Sequence, residues 1–186
     1  CGVGVVRGSE TDVLDRFVTA LDSHPAGTLV RLTADCPLTD PAIVAAALDR
    51  HHETGADYTS NVLPRSFPKG LDVEVIDAAA LRTAAREAVD TAEREHVTPF
   101  VYRRPERFRL ANLDSMLDAG DERWTVDTPE DLERVRAILA AVGDPLADWQ
   151  TLLSAFGRTA PTAAPGAVRS EEHTSELQSH SDLVCR

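Results

Sequence analysis

Thr28-Leu29-Val30-Arg31-Leu32-Thr33 runs through Ala34-Asp35-Cys36-Pro37-Leu38-Thr39 into Asp40-Pro41. The first six residues read as a strand, with Leu29, Val30 and Leu32 apolar. Asp40-Pro41 opens a helix: the carboxylate can cap the first free N–H groups, and proline at the first helical position gives up an N–H that has no partner there anyway. Ile43, Val44, Ala47 and Leu48 follow at helical spacing, and Gly55 ends the helix. Asp35 hangs in between, just past the strand.

Working outward, the same alternation recurs. Residues 1–6 read as a strand already in progress, and 11–23 as an amphipathic helix built on Val13, Leu14, Phe17, Val18 and Leu21. Residues 58–62 and 71–76 read as strands around a loop at 64–70. Asp77 is expected to cap a helix through residue 88. Residues 93–103 read as a helix broken near Pro99. A strand is expected at 108–113 and another at 124–126, then helices from Asp127 through 142 and over 145–156. Strands alternating with helices predict an α/β fold with a largely parallel sheet. In such sheets ligands sit past the carboxyl ends of the strands, so residues there carry the most functional weight.

The composition narrows the function. The chain has 186 residues, about one domain's worth. Nineteen Lys and Arg against 31 Asp and Glu give a net charge of −12, which argues against nucleic-acid binding. No run of 18 apolar residues exists, so no membrane-spanning helix is encoded. Three scattered cysteines, Cys1, Cys36 and Cys185, form neither a disulfide framework nor a zinc site and fit a reducing cytoplasm. From residue 159 the composition turns to Ala, Pro, Thr and Gly, a linker; Arg169 to His180 then reads as a common sequencing-library adapter translated in frame. Residues 159–186 are therefore expected to be a linker and a non-native tail, and the chain is expected to be a fragment of a longer reading frame.

Two strand ends present acids: Asp35 before Cys36-Pro37, and Asp127 after Trp124-Thr125-Val126. Paired carboxylates there could hold Mg2+, which takes oxygen ligands together with water and substrate phosphates. Asp127 or Thr128 could equally be a helix cap. Asp72 and Glu74, two apart past Gly70, read as sugar or metal contacts at a pocket rim or as a solvated strand face. Glu93-Arg94-Glu95-His96 reads as a pocket element or as solvent-exposed pairs. His51 and His52 read as surface residues at a helix end. Cys36 reads as a small buried filler.

Five stretches taken in order carry a resemblance: Arg7-Gly-Ser-Glu-Thr-Asp-Val-Leu-Asp-Arg16, Val30 through Pro41, Gly70-Leu-Asp-Val-Glu-Val75, Glu93-Arg-Glu-His-Val-Thr-Pro99 and Val126-Asp-Thr-Pro-Glu-Asp-Leu132. Over roughly residues 5–140 the chain resembles the spore-coat-polysaccharide-type cytidylyltransferases, relatives of the CMP-KDO and CMP-sialate synthetases. The resemblance implies a Rossmann-like three-layer α/β/α sandwich of the nucleotide-diphospho-sugar transferase type, with its first strands missing and residues 1–158 a partial nucleotidyltransferase domain. It implies Mg2+-dependent transfer of a cytidylyl group from CTP to an acidic or modified sugar for surface polysaccharide biosynthesis, releasing pyrophosphate, by a possible homodimer. Asp35 and Asp127 match the family's catalytic metal ligands. Arg31, Asp72, Glu74, Arg94, Glu95 and His96 match its substrate-binding motifs. No Gly-rich, Arg- or Lys-bearing triphosphate loop is found, so the fragment is expected to be inactive alone and to leave a sheet edge unpaired. The other readings are a glycosyltransferase of related fold, which would want an Asp-x-Asp motif absent here, and a non-catalytic binding or assembly module.

Overall fold

The computed structural model describes residues 2–159 and 182–185. The central sheet has four strands in the order β2-β4-β3-β5: β2 (Thr28–Arg31), β3 (Tyr58–Ser60), β4 (Glu74–Asp77) and β5 (Leu110–Asn112). β4 is antiparallel to both β2 and β3, whereas β3 and β5 are parallel. Two of the three pairings are thus antiparallel, against the largely parallel sheet expected from the sequence. The reason lies in the link from β3 to β4. Residues 61–73 contain no helix, and without a crossover the chain returns in the opposite sense. β2, β3 and β5 consequently share one direction, with β4 reversed inside the sheet.

Helices cover both faces. Successive side chains of a strand point to opposite sides, and the two cores follow that alternation. On one face Val30 and Val75 pack with Ile43 and Ala47 of α2 (Pro41–Thr54), Val135 and Ile138 of α6 (Pro129–Val142), and Trp149 and Leu152 of α7 (Trp149–Thr159). On the other, Leu29, Tyr58 and Ile76 pack with α1 (Val13–Ser23), α3 (Ala78–Glu87) and α5 (Pro99–Tyr102), and with Val97 just past the end of the short α4 (Thr91–His96). This is a mixed α/β fold of three layers.

The helix ends follow the sequence chemistry. Asp40 caps α2 through Ala42 N–H at 2.7 Å, and Gly55 takes the left-handed conformation that terminates it. The other oxygen of Asp40 accepts from Trp149 N–H at 3.0 Å, so one buried carboxylate holds the starts of two helices. Thr128, not Asp127, caps α6, in a reciprocal box with Asp131. Asp77 precedes α3 but makes no side-chain cap bond; it accepts instead from Thr28 and bonds His51. His51, expected at the surface, is buried between Thr59 and Asp77, 3.0 Å from each.

The expected strand at 124–126 does not join the sheet. Its backbone docks on loops: Trp124 N–H donates to Lys69 O at 2.6 Å and Val126 N–H to Asp35 O at 2.9 Å. Apart from the main sheet, β1 (Gly4–Arg7) pairs antiparallel with β6 (Asp182–Cys185), the one part of the expected tail that is described. No described helix is long and apolar enough to cross a membrane.

Candidate active site

The reversed β4 brings its start beside the ends of its neighbours. Glu74 is the register partner of Arg31, the last residue of β2, and of Ser60, the last of β3. One lip of the sheet therefore gathers the ends of two strands and the beginning of a third. A cavity of ≈ 240 Å³ opens there, walled by Arg31, Thr33, Asp72, Glu74, His96 and Thr98 among others. Four of the eight residues singled out from the sequence, Arg31, Asp72, Glu74 and His96, meet in it.

Glu74 is the fixed point. Its side chain is buried. Oε1 accepts from Tyr58 OH at 2.6 Å and from Thr98 OH at 2.6 Å; Oε2 accepts from Arg31. Three donors, one of them cationic, replace the water that burial removes. Burial pushes the Tyr58 phenol well above its ordinary range, and the Glu74 carboxylate pushes it further, so Tyr58 stays a donor. Asp72 is held in the same manner from the side: Arg65 grips both its oxygens, at 2.6 and 2.8 Å, and Gly70 N–H donates at 3.2 Å.

Thr98 and His96 reach the cavity through a strained turn. Val97, fully buried, has φ 73° and ψ −57°, a conformation that a β-branched residue rarely takes. It is the centre of a γ-turn, with Thr98 N–H donating to His96 O at 2.9 Å. Arg94 and Glu95 take other positions. Arg94 pairs with Asp12 at 2.6 Å and donates to the carbonyls of Ala85 and Ala88, pinning α4 to α1 and α3. Glu95 is exposed and lies outside the cavity wall.

Asp35 and Asp127 lie on segments joined by the Val126–Asp35 backbone bond. Asp35 is half-buried in the turn after β2, and its Oδ1 accepts from Cys36 Sγ at 3.6 Å. Asp127 is exposed, pairs with Arg123 and accepts from Thr125 OH at 3.1 Å. Burial pushes the neighbouring Cys36 thiol up to about 12 against the effect of its contact with Thr33, and the Asp35 and Asp72 carboxylates add to the rise, so all three groups share one neighbourhood. Cys36 is thus a neutral filler.

Among the described residues no group of three or more His, Cys, Asp or Glu side chains gathers for a metal. The two aspartates nonetheless suit Mg2+ in kind: both are hard oxygen donors on adjoining segments, and Mg2+ is commonly held by one or two carboxylates with water and phosphate oxygens completing its shell. Arg123 would compete for Asp127.

Loops tie the lip together. Lys69 N–H donates to Glu122 O at 2.8 Å, next to the Trp124–Lys69 bond. Gly70, at φ 109°, lets the chains touch: a Cβ there would stand 2.8 Å from the Trp124 carbonyl carbon. Tyr58 and Thr98 were not picked out from the sequence. The one local hint is Ile76, two residues past Glu74, which marks that strand face as covered.

A three-layer α/β fold thus carries a cavity of mixed polar and apolar lining at the strand ends, with acids on the adjoining loops. The comparisons define the class. A family model described as cytidylyltransferase matches residues 1–149. The chain is 34% identical over 146 residues to the spore coat polysaccharide biosynthesis protein SpsF of Bacillus subtilis, covering 77% of this chain and 60% of that protein. It is 36% identical over 134 residues to an uncharacterized protein of Methanocaldococcus jannaschii, covering 71% and 54%. A solved cytidylyltransferase structure from Leptospira borgpetersenii superposes with a TM-score of 0.77 at 27% identity, over 82% of this chain and 65% of that one. The chain belongs to the cytidylyltransferase family, and so to the nucleotidyltransferases. It spans little more than half the length of these curated relatives.

Proposed function

We propose that the protein carrying this chain transfers a cytidylyl group from CTP to a sugar, giving a CMP-sugar and pyrophosphate, and that it serves surface polysaccharide synthesis, as the name of the Bacillus subtilis relative suggests. The observation that carries the reading is a pair of acids, Asp35 and Asp127, on loops joined by a main-chain bond, together with Arg31, Asp72 and Glu74 in the wall of one cavity at the strand ends.

In this reading the cavity at the ends of β2 and β3 takes the sugar. Arg31, held by Glu74, and the hydroxyl of Thr33 offer hydrogen bonds to it. The sugar hydroxyl forms a bond to the α-phosphorus of CTP, the α–β phosphoanhydride bond breaks, and the hydroxyl proton leaves to solvent. Holding the two reactants in line supplies much of the acceleration. Asp35 and Asp127 are the residues that would hold Mg2+. When bound there, the ion would supply charge neutralisation at the triphosphate.

The test has two parts. Pyrophosphate release from CTP with a sugar acceptor is measured with and without Mg2+, for the native protein and Asp35→Asn. Mn2+ binding, as a paramagnetic stand-in, is followed by relaxation of water protons. The expected result is Mg2+-dependent release and loss of both signals in the variant. Full Mn2+ binding by Asp35→Asn would remove Asp35 from the metal role.

A further inference from the structure

Resting on the reading of this cavity as the acceptor site, we infer that Tyr58, Thr98 and the turn at Val97 are positioning elements for it: acting through Glu74, they aim the guanidinium of Arg31 at the ligand. Arg31 is partly exposed and forms part of the cavity wall. Among the described residues its side chain has one hydrogen-bond partner, Glu74, reached through Nη1. Nε and Nη2 are left to donate, and a planar fork of N–H groups matches a pair of ligand oxygens.

Such a fork works only if it is aimed. A glutamate carboxylate turns easily about its last bond, whose torsion is broad and roughly two-fold. Glu74 alone would therefore let the guanidinium swing. The two 2.6 Å bonds from Tyr58 and Thr98 to Oε1 stop that rotation, and Oε2 then meets Arg31 along one direction. The parts come from four places: Arg31 from β2, Glu74 from β4, Tyr58 from β3, and Thr98 from the turn between α4 and α5.

The turn belongs to the same device. A strained backbone persists only where its surroundings over-determine it, and such strain gathers at functional sites. With Val97 buried at φ 73°, the residues on either side both reach the cavity wall. Thr98 holds Glu74, and His96 stands exposed to meet a ligand.

The full chain is titrated without nucleotide, following the Arg31 Nε–H resonance by NMR. The probes are glucuronic acid and N-acetylglucosamine, and the tighter of the two is used for the variants. Thr98→Val, which keeps the shape and removes the hydroxyl, and Tyr58→Phe are each expected to weaken binding about tenfold, the worth of one hydrogen bond to a charged group. Thr98→Ser is expected to restore it. Arg31→Lys keeps a counter-charge for Glu74 but has no fork; in that background, followed at the Thr33 amide, adding Thr98→Val should cost little more. Native affinity in Thr98→Val or in Tyr58→Phe, no recovery in Thr98→Ser, or a further loss in the Arg31→Lys background as large as in the native one overturns the inference and leaves the cytidylyl-transfer reading standing. No shift at Arg31 with either sugar overturns it together with the placing of the acceptor here.

Discussion

Arg31 and Glu74 are partners twice over: they face each other in the β2–β4 ladder, and their side chains join in an ion pair over the same strands. The backbone register sets the pair, and the pair closes the cavity floor. Glu74→Gln keeps an acceptor for Tyr58 and Thr98 but leaves Arg31 without a counter-charge. The expected loss is about 2 kcal/mol, below the roughly 3–5 kcal/mol of a fully buried pair because Arg31 retains some solvent. Urea unfolding measures it. The double variant with Arg31→Met should lose less than the sum of the two single changes.

Tyr58 makes a pH prediction with a definite sign. Its phenol is raised by burial and by Glu74, so the folded state holds the proton more tightly than the unfolded one. That contribution to stability is present below about pH 10, the ordinary tyrosine value, and is lost as the pH rises beyond it. The sequence has two tyrosines. The phenolate absorbance of the folded protein near about pH 10 should fall short of two tyrosines, and the shortfall should appear on unfolding. In Tyr58→Phe the shortfall should vanish.

Val97 should reverse an ordinary ranking. At most buried sites glycine is worse than alanine by about 1 kcal/mol. Here the backbone sits at φ 73°, and strain of that kind costs about 1–3 kcal/mol, which alanine keeps and glycine relieves. Val97→Ala should cost about 2 kcal/mol in lost burial, and Val97→Gly no more than that. A glycine variant markedly less stable than the alanine one in urea would remove strain from the account.

Asp40 joins α2 to α7 across most of the chain. Asp40→Ala removes a cap, about 1 kcal/mol, and strands the buried Trp149 N–H at a further cost of about 1 kcal/mol or more. Calorimetry should show a loss near about 2 kcal/mol. Hydrogen exchange should speed up at the start of α7 as well as of α2.

What the sequence made legible was local. Asp40-Pro41 and Gly55 bound α2 as their chemistry demands, and the break at Val97 and Thr98 falls beside the proline that signals it. Capping was open between Asp127 and Thr128, and the hydroxyl won because Asp131 stands at the right offset to close the box. The misses are long-range. Trp124 and Val126 look like a strand because they alternate, but their hydrogen bonds go to loops. The reversal of β4 depends on a link without a helix, and Tyr58 and Thr98 reach Glu74 from 16 and 24 residues away. No spacing rule encodes such meetings. Arg31, Asp72, Glu74 and His96 were nameable from their motifs; the rest of the cavity wall and the network that orders it were not.

The stitching of residues 122–126 onto Lys69, Gly70 and Asp35 fixes the backbone of the adjoining loops. The segments bearing Asp35 and Asp127 are sewn together by main-chain bonds, and at Gly70 even one methyl would collide with Trp124. Leu63 is tied as well, its N–H donating to Asn112 Oδ1 at 3.1 Å, while the side chains of Leu63 and His96 stand exposed at the cavity mouth. A ligand therefore enters a mouth whose backbone is fixed on more than one side and whose exposed side chains are what it meets first.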